Sequence, residues 1–192
     1  YNIEVKIKHQ VISIDPSTKS LKIRRLSDNT EYEDRYDVLI ISTGATSIVP
    51  TFSGISLPHV FSLRSPGDAR AIRHYIDKKK PQKAVIIGSG FIGLEMVENL
   101  VHAGLSVTVI EKLPQVCPFV DPDMAVYLEQ YLVKQKVSVI TGQSAASIGK
   151  KSVKLESGEK IAADLVIVAV GVRPNIELAR TAGIKMGVTG AI

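Results

Sequence analysis

Residues 85–112 read VIIGSGFIGLEMVENLVHAGLSVTVIEK, and the fold turns on how that stretch is read. Glycines stand at 88, 90 and 93 in a GxGxxG pattern. The apolar run AVIIG at 84–88 leads into them and predicts a short buried strand. Ile92, Met96, Leu100 and Ala103 recur at helical spacing, with Gly104 as a stop, which predicts a helix over 91–103. SVTVIE at 106–111 predicts the next strand, and it ends in an acid, Glu111, 21 residues after Gly90. A GxGxxG alone is a weak signal. Between a strand and a helix, with an acid at that distance, it is a dinucleotide-binding fingerprint.

Each position has a physical role. Gly88 permits the strand-to-helix turn, Gly90 leaves room for a pyrophosphate against the backbone, and Gly93 lets helix and strand pack closely. Free N–H groups over Ser89, Gly90, Phe91 and Ile92, aided by the helix dipole, suit phosphate oxygens. Glu111 can accept hydrogen bonds from both adenosine ribose hydroxyls and repels a 2′-phosphate, which favours NAD over NADP, while the neighbouring Lys112 works against that preference. Glu95 is expected in the first helical turn, either as a carboxylate suited to the dipole or as a contact to the nicotinamide end. Phe91 is either core or a wall of the nicotinamide channel. No GK[ST] follows, so an ATP-type P-loop is not supported.

Working outward, the spacing predicts strand and helix alternating from 84 to 141, hence a parallel α/β sheet of Rossmann type with helices on both faces. SPGDARAIRHYIDKKK at 65–80 and a segment from Asp121-Pro122 to about Lys136 read as capped helices. VSVIT at 137–141 reads as a third strand. Residues 144–163 read as a β-meander, and DLVIVAVG at 164–171 closes the unit as a buried strand. Residues 45–64, with Pro50, Gly54 and Pro58, read as loop. Residues 3–41 read as a second meander with turns at DPST and SDNT, closed by DVLIISTG at 37–44, whose Val38–Ile41 run predicts a strand buried on both faces. The chain thus ends two stretches in the same way, the first without a strand–helix–strand beginning.

Composition narrows the function. The 192 residues suffice for one domain and part of another, and no apolar run reaches the ~20 residues of a membrane span. With no signal-like leader, a cytoplasmic location is expected. The single cysteine, Cys117, excludes an intramolecular disulfide and a CxxC pair, has no activating cation close by in sequence, and reads as structural. Histidines at 9, 59, 74 and 102 have no metal-ligand spacing, so no metal site is expected. The net charge of +5 is spread over helix ends and turns without interleaved aromatics, which argues against nucleic-acid binding.

Three stretches carry a resemblance: YDVLIISTGATSIVP at 36–50, VIIGSGFIGLEM at 85–96 and DLVIVAVGVRPN at 164–175. In this order they resemble the pyridine nucleotide–disulfide oxidoreductase family, in its CoA-disulfide reductase and NADH oxidase branch. That resemblance implies an NAD(P)H domain inserted into an FAD domain, so the two closing strands would end two related nucleotide-binding domains. It implies that residues 1–50 are the remnant of the first FAD segment and 51–192 the NAD(P)H domain. The missing FAD and dimerisation domains would belong to the same polypeptide, with a homodimeric parent, and the redox cysteine would lie outside this stretch. It implies hydride transfer from nicotinamide to flavin, with Phe91 as the gate between them and Glu95 holding the carboxamide. Val170, Gly171 and Val172 would line the nicotinamide, and Thr43 and Gly44 would touch FAD. The expectation is NAD(H) binding by a fragment that retains no flavin and carries no catalytic residue of its own. A ferredoxin-, rubredoxin- or nitrite-reductase-linked flavoprotein, or a non-catalytic NAD sensor, is the alternative. The electron acceptor is not readable from these residues.

Overall fold

The computed structural model describes residues 2–192. The chain forms two compact units. One holds the chain up to Thr46 together with Arg173–Ile192, and the other holds Ser47–Val172. The sequence reading places the division at 50/51 and keeps residues 173–192 with the second part, whereas in the structure they join the first unit.

In the first unit, β1 (His9–Asp15), β2 (Ser20–Arg25) and β3 (Glu31–Arg35) make the expected antiparallel meander in that order. The turns are built by aspartates. Asp15 Oδ1 accepts the Ser17 hydroxyl and the Ser17 and Thr18 N–H groups, which hold its carboxyl down at about 2. Asp28 accepts the Thr30 N–H and hydroxyl in the same way. Two expectations fail here. Val5 and Ile7 precede the first strand and are about three-quarters exposed, and the Val38–Ile41 run is not a strand, with Val38 84% and Ile40 86% exposed. A doubly buried strand needs a neighbour on each side, and no strand pairs with this run among the described residues. Beyond it the chain forms β4 (Ala45–Ser47).

The second unit contains a parallel sheet. Its strands are β5 (Val60–Ser62), β6 (Lys83–Ile87), β7 (Ser106–Ile110), β8 (Ser138–Ile140) and, after the meander β9 (Ala145–Ile148), β10 (Ser152–Leu155), β11 (Lys160–Ala162), the closing strand β12 (Leu165–Val168). The order is β5-β12-β6-β7-β8. β5 lies in the stretch read as loop; it is three residues long, too short for an alternation to register. Helix α1 (Pro66–Lys79) is started by a capping box between Ser65 and Asp68 and ended by Lys80 at φ +50. Helices α2 (Phe91–His102) and α3 (Pro122–Lys134) follow β6 and β7.

Alternation along the strands divides the core in two. Ala84, Ile86, Val107, Val109, Leu165 and Ile167 face α1, α2 and α3 through Ile72, Met96, Leu100 and Leu132. Val85, Ile87, Ile110, Val166 and Val168 face the meander through Ile148, Val153 and Leu155. The three long helices therefore share one face. The second helix layer expected from the sequence is replaced by β9–β11, whose apolar side closes the other face. The fold remains Rossmann-like α/β with its parallel sheet. From β6 the chain moves outward to β7 and β8, then returns to the other side of β6 as β12, so the β6–β12 boundary is where the winding reverses. Finally β13 (Val172–Pro174) pairs with β4, and a short helix α4 (Glu177–Thr181) follows.

Candidate dinucleotide site

The glycine turn lies at that reversal point, outside the carboxyl end of β6. Gly88 has φ +101, and a Cβ there would stand 2.5 Å from the Ala169 carbonyl oxygen at the end of β12. A Cβ on Gly93 would stand 2.1 Å from the Gly88 carbonyl oxygen. Neither position tolerates a side chain, so strand, turn and helix can approach only as glycines. Gly90 is the N-cap of α2 and supplies no side-chain bond to the first turn. The leading N–H groups of α2 thus lack a capping acceptor and, with the helix dipole, favour an anion.

Ser89, between the two glycines, is fully buried. Its N–H and its hydroxyl both donate to Glu111 Oε2, at 2.8 and 2.7 Å. Glu111 follows the last residue of β7, is 7% exposed, and accepts the Leu113 N–H on Oε1 at 2.9 Å. The fingerprint acid is therefore brought to the turn and bound to it. Lys112 points to solvent. Cys117, 2% exposed, donates its N–H to the Ser89 carbonyl (3.1 Å) and hydroxyl (3.2 Å) and so pins the following loop under the turn.

Phe91 opens α2 with 63% of its surface exposed and stacks on Phe119, centroids 5.5 Å apart and planes 18° off parallel. Phe119 also touches the Gly90 position, 3.4 Å from where a Cβ would stand. Nothing in the sequence singles out Phe119; only the folded loop brings it here. Ile92 is half-buried in the same turn. Glu95 is the fifth residue of α2, one turn further along than expected, exposed, and lines a groove of about 270 Å³ between α2 and α3. It lies four residues after Phe91, so the two share a helix face. Val170, Gly171 and Val172 are exposed at the end of β12, where the Val170 N–H lies beside Gly88, and Gly171 (φ +116) accepts the Ile48 N–H. Thr43 and Gly44 belong to the first unit. There Asn175 holds them: its N–H donates to the Gly44 carbonyl, its amide to the Thr43 carbonyl, and it accepts the Thr46 hydroxyl. Asn175 stands in the quoted GVRPN stretch but is not among the expected site residues.

Among the described residues, no group of three or more His, Cys, Asp or Glu could hold a metal ion, and no helix is long and apolar enough to cross a membrane.

The family model for pyridine nucleotide-disulphide oxidoreductases matches residues 1–192. The chain belongs to that family. It is 41% identical over 191 residues to an NADH oxidase of Methanocaldococcus jannaschii, covering 97% of this chain and 42% of that protein. Among solved structures, the reduced Bacillus anthracis protein CoADR-RHD aligns with a TM-score of 0.90 at 40% identity, over 96% of this chain and 34% of that one. A water-forming NADH oxidase from Lactobacillus brevis, bound to NADH, aligns with a TM-score of 0.84 at 28% identity, over 96% of this chain and 41% of that one. The chain thus spans less than half the length of the relatives it matches. The family is one of FAD- and NAD(P)H-dependent oxidoreductases.

Proposed function

We propose that Ser47–Val172 is the NAD(H)-binding domain of an FAD-dependent oxidoreductase, and that the first unit belongs to its FAD domain. The observation that carries the reading is the uncapped start of α2 at the reversal point of the sheet, with the Glu111 carboxylate fixed beside it. A dinucleotide fits those residues. The pyrophosphate would lie on the N–H groups of Gly90, Phe91 and Ile92, where Gly90 offers no side chain. The Ser89 N–H is already bonded to Glu111.

Glu111 would take the adenosine ribose. An ionised carboxylate has about four acceptor sites, and three here are used by Ser89 and Leu113. That leaves one site, on Oε1, for one ribose hydroxyl rather than the two expected from sequence. A 2′-phosphate would meet a carboxylate held in place, which disfavours NADP. Phe91, Glu95 and Val170–Val172 would flank the nicotinamide, whose chemistry when bound is hydride donation to flavin. Toward FAD, the exposed Gly44 (φ +71) offers backbone contact, since the Thr43 hydroxyl is spent on the Asn175 carbonyl. Parent activities of the disulfide-reductase or NADH-oxidase kind fit this arrangement.

Calorimetric titration with NADH and NADPH tests the reading. NADH binding at least about tenfold tighter than NADPH supports it. Binding of neither nucleotide removes it, and equal binding removes the role of Glu111.

A further inference from the structure

We propose that Ser89 is a positioning residue whose buried hydroxyl fixes the Glu111 carboxylate and thereby sets the preference of the site for NADH over NADPH. This rests on the dinucleotide reading above and concerns a side chain that cannot itself touch the nucleotide.

Ser89 has no exposed surface, although it lies within the turn that would hold the pyrophosphate. Its hydroxyl is fully engaged inward: the proton goes to Glu111 Oε2 at 2.7 Å, and the oxygen accepts the Cys117 N–H at 3.2 Å. Two donors from one residue converge on a single carboxylate oxygen. With Leu113 on the other oxygen, the carboxylate is tied at both ends and cannot rotate without breaking a bond. Oε1 thereby keeps one free acceptor site for the ribose, and the negative charge of the carboxylate is held beside the place a 2′-phosphate would have to occupy. Bonds to an ionised acceptor are the stronger ones, so the hydroxyl contributes strongly to this rigidity.

Without the hydroxyl, Oε2 keeps only the backbone N–H. The carboxylate then gains freedom to turn away from a 2′-phosphate, and Lys112, already in solvent beside it, can act on that phosphate. The glycine turn itself changes little, because the Cys117 N–H retains its bond to the Ser89 carbonyl.

The test is calorimetry with NADH and NADPH on the chain and on Ser89→Ala, Glu111→Ala and the double variant. Ser89→Ala is expected to weaken NADH about fivefold, leave NADPH unchanged or tighter, and so collapse the ratio of the two dissociation constants. In the Glu111→Ala background the same change should leave that ratio unmoved, since the hydroxyl no longer has a carboxylate to fix. Ser89→Cys, close in volume with a weaker donor, should fall between, and it serves in place of Ser89→Ala should that variant fail to fold. Equal weakening of both nucleotides, or an equal effect with and without Glu111, would mean that Ser89 merely supports the turn and would overturn the proposal. Failure of the unaltered chain to bind either nucleotide would instead remove the dinucleotide reading, and this proposal with it.

Discussion

Replacing Gly93 by alanine probes the contact on which the site depends. The new methyl carbon would stand 2.1 Å from the Gly88 carbonyl oxygen, 3.1 Å from its carbon and 3.5 Å from Ile86 Cγ2. The first two are backbone atoms and cannot rotate aside. Gly88 has no room to retreat either, because the Ala169 backbone already lies against it. The start of α2 must therefore withdraw by about 1 Å to reach ordinary contact. Overpacking of this kind costs about 1–3 kcal/mol, and the better helix propensity of alanine returns up to about 1 kcal/mol. A clash with backbone atoms puts the cost at the upper end, so the net loss is about 2 kcal/mol, which at a urea dependence of about 2 kcal/mol per molar lowers the unfolding midpoint by about 1 M. The same displacement moves the N–H groups proposed to take the pyrophosphate, and losing one such bond to a charged acceptor weakens NADH by about tenfold or more. Urea titration and NADH calorimetry read the two effects separately. Gly104→Ala is the control: at φ +84 with nothing within 4 Å, it carries backbone strain without a clash and should leave NADH affinity unchanged. NADH affinity within twofold of the unaltered chain in Gly93→Ala would refute the packing argument.

Glu111→Ala leaves three donors without their acceptor in a nearly closed site; the expected loss is about 3 kcal/mol of stability, seen as a lower urea midpoint, together with weaker NADH binding. Asp164 should carry part of the acid sensitivity. The Gln82 N–H foremost, then the Lys83 N–H and the Lys151 and Lys83 charges, hold its carboxyl below the usual 3.8 against the opposing effect of burial. A depressed native value stabilises the fold above the unfolded value, and that contribution is lost as pH falls through 3.8 and below. Asp164→Asn should therefore flatten the fall in stability between about pH 5 and about pH 2, and an unchanged acid limb would contradict the assignment. Ile40→Lys, at a position 86% exposed, should change the thermal midpoint little, by less than the equivalent of about 0.5 kcal/mol, and should reduce any self-association measured by sedimentation.

The parallel unit was legible because its signals are local. Period-2 alternation is hidden in β6 and β12, which are buried on both faces, but Gly88 and Gly93 mark where a strand must turn into a helix, and Ser65-Pro66 marks the start of α1. What escaped depends on neighbours. Val38–Ile41 has the composition of a buried strand, yet burial comes from what packs against it, and that is not written in the four residues. The meander at 144–163 was readable as strands, but not as the layer that takes the place of helices on one face of the sheet. In the site, the three glycines and Glu111 could be named from spacing. The hydroxyl that ties Ser89 to Glu111, and the stacking of Phe119 on Phe91, join residues far apart in the chain and exist only once the turn has formed.

In the proposed function, the start of α2 and the end of β7 together hold NADH. An amide chemical-shift titration of the isotopically labelled chain with NADH tests it most directly. The largest shifts should fall on Gly88–Gly93, Glu111–Leu113 and Val170–Val172. Shifts spread over α3 and the meander instead, with the glycine turn unmoved, would contradict it.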